Sequence, residues 1–239
     1  IQLGVIILFI LVSYIAFNAS RKAEQNKVWV GLTKETAHQL GTPTSSLLAW
    51  AEILRERNVA PDIMDEMEKD IRRLEKITER FSKVGSEPLM KSVDLTELIV
   101  RTVDYIRTRV TGDVVLQANV PMYSLMAPVS SSLLEWVLEN VIKNAVDALE
   151  GGKGTVTVAL VRSGEKVIID VIDTGKGIPR SLHKTIFKPG FTTKGRGWGL
   201  GLSLSKRIIE MYHKGRIFVA SSEPGKGTSI RIILPSYYD

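Results

Sequence analysis

Hydrophobic and polar positions along this 239-residue chain fall into three regimes. From Ile1 to Phe17 there is no charged residue, and a helix drawn through the segment is apolar on every side. At about 1.5 Å per residue that helix spans about 26 Å, enough to cross a bilayer core. Arg21 and Lys22 follow at once, so the positive-inside rule places the remaining chain in the cytoplasm. Residues 1–18 are expected to form a transmembrane helix.

The second regime is heptad-like. Lys22 to Arg57 reads as one long helix in which Leu40, Leu47 and Leu54 recur every seven residues, as do Val30, Ala37, Thr44 and Ala51. With the leucines at d, the second set falls at a, a coiled-coil seam with small a residues. The stretch from Asn58 to Asp62 is a turn, because Pro61 disfavours helix in the residue before it. Ile63, Met67, Ile71, Leu74, Ile77, Phe81 and Val84 then step by three and four along the face of a return helix. Residues 19–86 thus form a helical hairpin. A lone hairpin cannot bury both stripes, so a homodimer closing a four-helix bundle is expected.

Beyond Gly85-Ser86-Glu87-Pro88 the pattern becomes mixed. Helices are predicted over Asp94 to Arg109, Ser130 to Leu149 (capped by serines) and Ser203 to Tyr212. Strands are predicted over Val114 to Val120, Thr155 to Val161, Lys166 to Ile172, Ile217 to Ala220 and Ser229 to Leu234. Residues 92–239 therefore read as an α+β sandwich with helices on one face of a sheet.

Composition changes this picture little. The chain lacks cysteine, which removes disulfides and thiolate metal sites. The net charge of +6 is dispersed, with no cluster of stacking aromatics beside it, so nucleic acid is not an expected partner.

Candidate chemistry concentrates in the third regime. Asn140 and Asn144 share a helix face, and an amide oxygen is a hard, neutral donor suited to Mg²⁺. Asp173 ends a strand just before Thr-Gly-Lys-Gly, where a carboxylate can accept from an exocyclic amine and Gly175 and Gly177 let backbone approach a flat base. Lys194 and Arg196 offer cations to phosphates, and Gly195, Gly197, Gly199 and Gly201 lead into a helix whose amides can cradle an anion. Upstream, His38 follows an a position and so lies on the outer flank of the seam. Pro43, five residues later, kinks the helix beside it.

Taken in order, Asn140/Asn144, Asp173–Gly177, the Phe187–Lys194 stretch, Gly197-Trp-Gly199-Leu200-Gly201 and Gly225-Lys-Gly227-Thr228 resemble the N, G1, F, G2 and G3 boxes of sensor histidine kinases. The resemblance runs from about residue 21 to 235. It implies a dimerisation and phospho-acceptor hairpin followed by a GHKL-type ATP-binding domain, in a protein held in a bacterial cytoplasmic membrane with its catalytic part in the cytoplasm. It further implies Mg²⁺ held by Asn144, adenine recognised by Asp173, and ATP contacted by Asn140, Gly175, Gly177, Lys194, Arg196, Gly197, Gly199, Leu200, Gly201 and Thr228. His38 would take the γ-phosphoryl group and pass it to the receiver domain of a response regulator, with Gln39 and Thr42 orienting water for the reverse hydrolysis. The family commonly has an acidic residue where Gln39 stands, so Glu35, one turn back, is the candidate proton acceptor. Gly190 replaces a common aromatic and Trp198 a small residue. Other readings are an ATP-binding scaffold or regulator phosphatase with weak autokinase activity, a chaperone-like ATPase, and a serine kinase of the anti-sigma type.

Overall fold

The computed structural model describes residues 2–4, 6–7, 9–17, 44, 46–56, 64–65, 67–69, 71–72, 74, 78, 88–110, 112–194 and 199–236. The chain divides into two units, Ile1–Glu87 and Pro88–Asp239.

In the first unit the described residues up to 17 are helical, and their large apolar side chains are exposed. Among the described residues, however, no helix is long and apolar enough to cross a membrane. Residues 1, 5, 8 and 18 of the expected transmembrane helix lie outside the described residues. The described residues within 44–56 and 64–78 are also helical, and Ala51, Met64 and Ile71 form a small core with Leu48, Leu54 and Met67 around it. Arg55 fastens the two stretches, reaching Asp65 at 2.6 Å and Glu68 at 3.0 Å. Thr44 and Ala51 are buried as the a positions require, but Leu47, expected at d, is exposed, and Leu48 packs instead. Leu54, the next d position, packs in the same core.

The second unit begins with strand β1 (Lys91–Asp94) and helix α1 (Leu95–Arg107). Asp94 caps α1 by accepting the Thr96 amide at 2.9 Å, and Leu95, Leu98, Ile99, Val103 and Ile106 form its buried face. Strands β2 (Asp113–Asn119) and β3 (Met126–Val129) precede α2 (Ser131–Asp147). Ser130 stands at the α2 N-cap but makes no side-chain cap bond, so the expected serine cap is absent. Strands β4 (Lys153–Ser163) and β5 (Lys166–Asp173) form a hairpin, followed by α3 (Gly201–Arg207), β6 (Arg216–Glu223) and β7 (Gly227–Pro235).

Five strands make one sheet in the order β2-β4-β5-β7-β6, parallel only between β2 and β4, while β1 and β3 pair separately. Alternation decides the faces. Val156, Val158 and Leu160 of β4, Val167, Ile169 and Val171 of β5, and Ile230, Ile232 and Leu234 of β7 are buried. Helix α1 lies against β2 and β4, α2 against β4 and β5, and α3 against β6. On the other face Val115, Val161 and Ile172 are exposed, and Asp170 is held by Arg231 through two bonds of 2.8 and 2.7 Å. The result is the expected α+β sandwich.

After α3 the helix widens into a π turn over Ile208–Tyr212 that delivers His213 to the core. Its Nδ1–H donates to the Ile208 carbonyl at 3.0 Å, and its Nε2 accepts the Ser130 amide at 3.1 Å. Acceptance at Nε2 requires the neutral ring, and burial holds the imidazole below its ordinary 6.5. A histidine with a depressed folded pKa stabilises the fold at pH above 6.5 and ceases to do so as pH falls below it, because the unfolded chain then binds the extra proton. Wild type is expected to lose stability as pH drops below 6.5. The His213→Leu variant should start about 1–3 kcal/mol less stable, with the buried Ser130 amide left unpaired, and should lack that acid-dependent loss. Denaturant titrations across pH measure both.

Candidate functional site

The site gathers where β5 and α2 end and β7 and α3 begin. Its floor is backbone. Gly177 and Gly227 both have positive φ, and a Cβ on either would collide with main chain: with the Glu223 carbonyl at Gly177, and with the Asp173 carbonyl at Gly227. The register Asp173↔Thr228 brings the β5 end alongside β7. Lys176 N–H donates to Ala148 O at 3.0 Å and Gly225 N–H to Lys176 O at 2.8 Å, so the turn after Asp173 is bonded to α2 on one side and to the β6–β7 turn on the other. Ser222 Oγ accepts the Ile178 amide at 2.8 Å and lies 2.8 Å from Thr228 Oγ1, which completes the floor.

Asp173 is buried at this floor, with its Oδ1 accepting the Gly175 amide at 2.8 Å. Desolvation pushes its carboxyl above the ordinary carboxylate value, and the amides of Gly175 and Thr228 oppose that shift. The result is a carboxylate in a low-dielectric recess, a strong acceptor for a ligand N–H.

Asn140 and Asn144 project from α2, as the sequence predicts. Asn140 Nδ2 donates to the buried Ser205 Oγ on α3 at 2.9 Å, and a Cβ on Gly201 would strike the Asn140 amide. The two helices touch because Gly201 has no side chain. Asn144 Oδ1 accepts from Lys194 Nζ at 2.9 Å, and the same ammonium lies 2.6 Å from Asp147 Oδ2. Sequence reasoning missed Asp147. Its signal was present, since Asn144 and Asp147 are three apart on one helix face.

The connection from Lys188 to Leu200, between Phe187 and α3, is the lid. The Gly190 amide donates to the Gly199 carbonyl at 3.1 Å, joining the two ends of the loop. Phe187 is buried, with Lys206 of α3 over its ring at 5.8 Å. Leu200 is the first residue of the helical turn, its carbonyl accepting Ser203 Oγ and the Leu204 amide, each at 2.9 Å. Arg196, Gly197 and Trp198 lie outside the described residues, as do Glu35, His38, Gln39, Thr42 and the turn at residues 58–62. Of the two histidines besides His38, His213 is the structural one described above, and His183 Nε2 donates to the Ile178 carbonyl at 3.0 Å.

This fold and pocket define a nucleotide-binding domain of the class described as histidine kinase-, DNA gyrase B- and HSP90-like ATPases, whose pattern residues 130–237 match. Relatives narrow the class. Nitrogen regulation protein NtrY of Azorhizobium caulinodans is 28% identical over 229 residues, covering 89% of this chain and 29% of that protein. Sensor histidine kinase ZraS of Escherichia coli is 34% identical over 224 residues, covering 90% of this chain and 47% of ZraS. The solved catalytic domain of histidine kinase ThkA superposes with a TM-score of 0.56 at 27% identity, covering 62% of this chain and 95% of that domain. A complex of ThkA with the response regulator protein TrrA shares the fold at 22% identity. Residues 130–237 carry the ATPase domain of that family, and over about nine-tenths of its length the chain is similar to sensor histidine kinases. It spans less than half the length of either named relative.

The floor yields a direct test. Gly227→Ala puts a methyl group against the Asp173 carbonyl and should cost about 2–4 kcal/mol, with nucleotide affinity falling at least tenfold as Asp173 shifts. Gly225→Ala, with a similar φ but nothing within 4 Å, carries the conformational penalty alone, about 1 kcal/mol, and should keep nucleotide affinity. Denaturation curves and titration with a fluorescent nucleotide compare the two.

Proposed function

We propose that this chain transfers the γ-phosphoryl group of ATP to its own His38 and then to an aspartate of a response-regulator receiver domain. It works as a homodimer anchored in the bacterial cytoplasmic membrane, with residues 19–86 as the phospho-acceptor hairpin and 92–239 as the catalytic domain.

Asn140 carries the reading. It stands at the α2–α3 joint, where related hydrolysing ATPases place a glutamate that activates water. Its amide is bonded to Ser205 and has no basic group to offer. The neighbouring Glu139 is turned toward Lys143 at 3.9 Å. A pocket that holds ATP without a base for water suits transfer to a side chain. The relatives' alignments extend over about nine-tenths of this chain, so they include the His38 region as well as the pocket.

In this mechanism Asp173 accepts from the adenine amine, and the amides of Gly199, Leu200 and Gly201 meet the phosphates with Lys194 and Arg196. Asn144 would hold Mg²⁺. The fit rests on Asn144 Oδ1 and Asp147 Oδ2 converging on the Lys194 ammonium, two oxygen donors already seating a cation. When bound, Mg²⁺ supplies charge neutralisation on the phosphates. The His38 Nε2 lone pair attacks the γ-phosphorus, the bond to the β–γ bridging oxygen breaks, and ADP leaves with the electron pair. Glu35 takes the proton released by the ring, a task the amide of Gln39 cannot perform. Gln39 and Thr42 orient the water that later removes the phosphoryl group from the regulator. Gln39 also favours the second reading, a scaffold or regulator phosphatase with weak autokinase activity.

Incubating the purified chain with γ-labelled ATP and Mg²⁺ tests the proposal. Acid-labile, base-stable label is expected in wild type, none in His38→Ala, and at least about tenfold less in Asn144→Ala with an unchanged unfolding transition. Nucleotide binding without label would leave the scaffold reading standing. Glu35→Gln should slow labelling about tenfold, and a rate equal to wild type would remove Glu35 from the mechanism.

A further inference from the structure

The Lys194 ammonium does not rest at random. Thr192 Oγ1 accepts the Lys194 amide at 3.1 Å, a tight turn that sends the side chain back to α2. There Nζ bonds Asn144 Oδ1 at 2.9 Å and Asp147 Oδ2 at 2.6 Å. An amide oxygen and a carboxylate oxygen three residues apart on one helix face are the donor types that hard divalent cations take. Lys194 and Asp147 are both about half exposed, so the contact is screened and readily exchanged. Among the described residues there is no group of three or more His, Cys, Asp or Glu able to hold a metal unaided. Two protein oxygens suit a cation whose remaining partners are water and phosphate.

We propose that Asn144 and Asp147 form a single cation seat with two alternating occupants. One is the Lys194 ammonium, which latches the leading end of the lid onto α2. The other is the divalent cation that arrives with nucleotide, which displaces Lys194 and frees it for phosphate. The inference rests on the reading of the pocket as a Mg·ATP site and adds two things to it. Asp147 becomes a ligand-side residue, and lid release becomes tied to metal entry, because like charges exclude each other from one pair of oxygens.

Two readouts on the full chain decide this. The first is amide hydrogen exchange of the lid peptide around Lys194 without nucleotide or metal. Asp147→Asn and Lys194→Met should each speed it at least threefold, while exchange in the β6–β7 turn stays as in wild type. The second is Mn²⁺ titration, followed by electron paramagnetic resonance, of each variant saturated with ADP. Asp147→Asn should bind Mn²⁺ at least threefold more weakly than wild type, and Lys194→Met at least as tightly as wild type. Lid exchange unchanged in both variants, or Mn²⁺ affinity unchanged in Asp147→Asn, overturns the seat. Failure of wild type to bind ADP would instead overturn the nucleotide reading, and the exchange measurement would still decide the latch.

Discussion

Main chain pressed against main chain is the constraint on which the second unit depends. At Gly177 and Gly227 the backbone after β5 and at the start of β7 comes closer than any side chain permits, with the Asp173 carbonyl and the Glu223 carbonyl as the opposing surfaces. Without that proximity the turn after Asp173 could not bond both Ala148 and Gly225. Asp173 would then sit in water rather than in a recess. Its recognition chemistry comes from burial, and its burial from two missing methyl groups.

Helix α2 is the ruler along which the site is laid out. At its start the Ser130 amide is bound to His213, and along its length Asn140 is bound to Ser205. Both partners belong to α3 and the π turn that continues it, so two bonds fix that helical segment against α2. Asn144 and Asp147, farther along α2, face the lid lysine. One helix thereby presents an oriented amide, two oxygens that hold the Lys194 ammonium and the backing of the Asp173 recess at spacings that its own pitch sets.

Much of this was legible in the sequence, for physical reasons. The long strands β4, β5 and β7 are rich in β-branched residues, and α1 and α2 carry continuous apolar faces, so the local pattern located them to within about two residues. The boxes were legible because glycine at a point of close approach has no substitute. Strands β1 and β3 were missed because each is four residues long and holds together only by pairing with the other, a partnership no local pattern encodes. The widening at Ile208–Tyr212 was read as ordinary helix, since the demand that creates it, His213 reaching Ser130, comes from 83 residues away.

The bond between the Gly190 amide and the Gly199 carbonyl has a meaning for how such proteins diversify. It ties off the loop at its base, so the frame on either side does not register how much chain lies between. Loop closure depends only logarithmically on length, and doubling such a segment costs only about 0.6 kcal/mol. Between those two glycines, away from Lys194 and Arg196, extra residues, a reporter or a new contact surface can be grafted while the floor, the ruler helix and the Asp173 recess remain as they are.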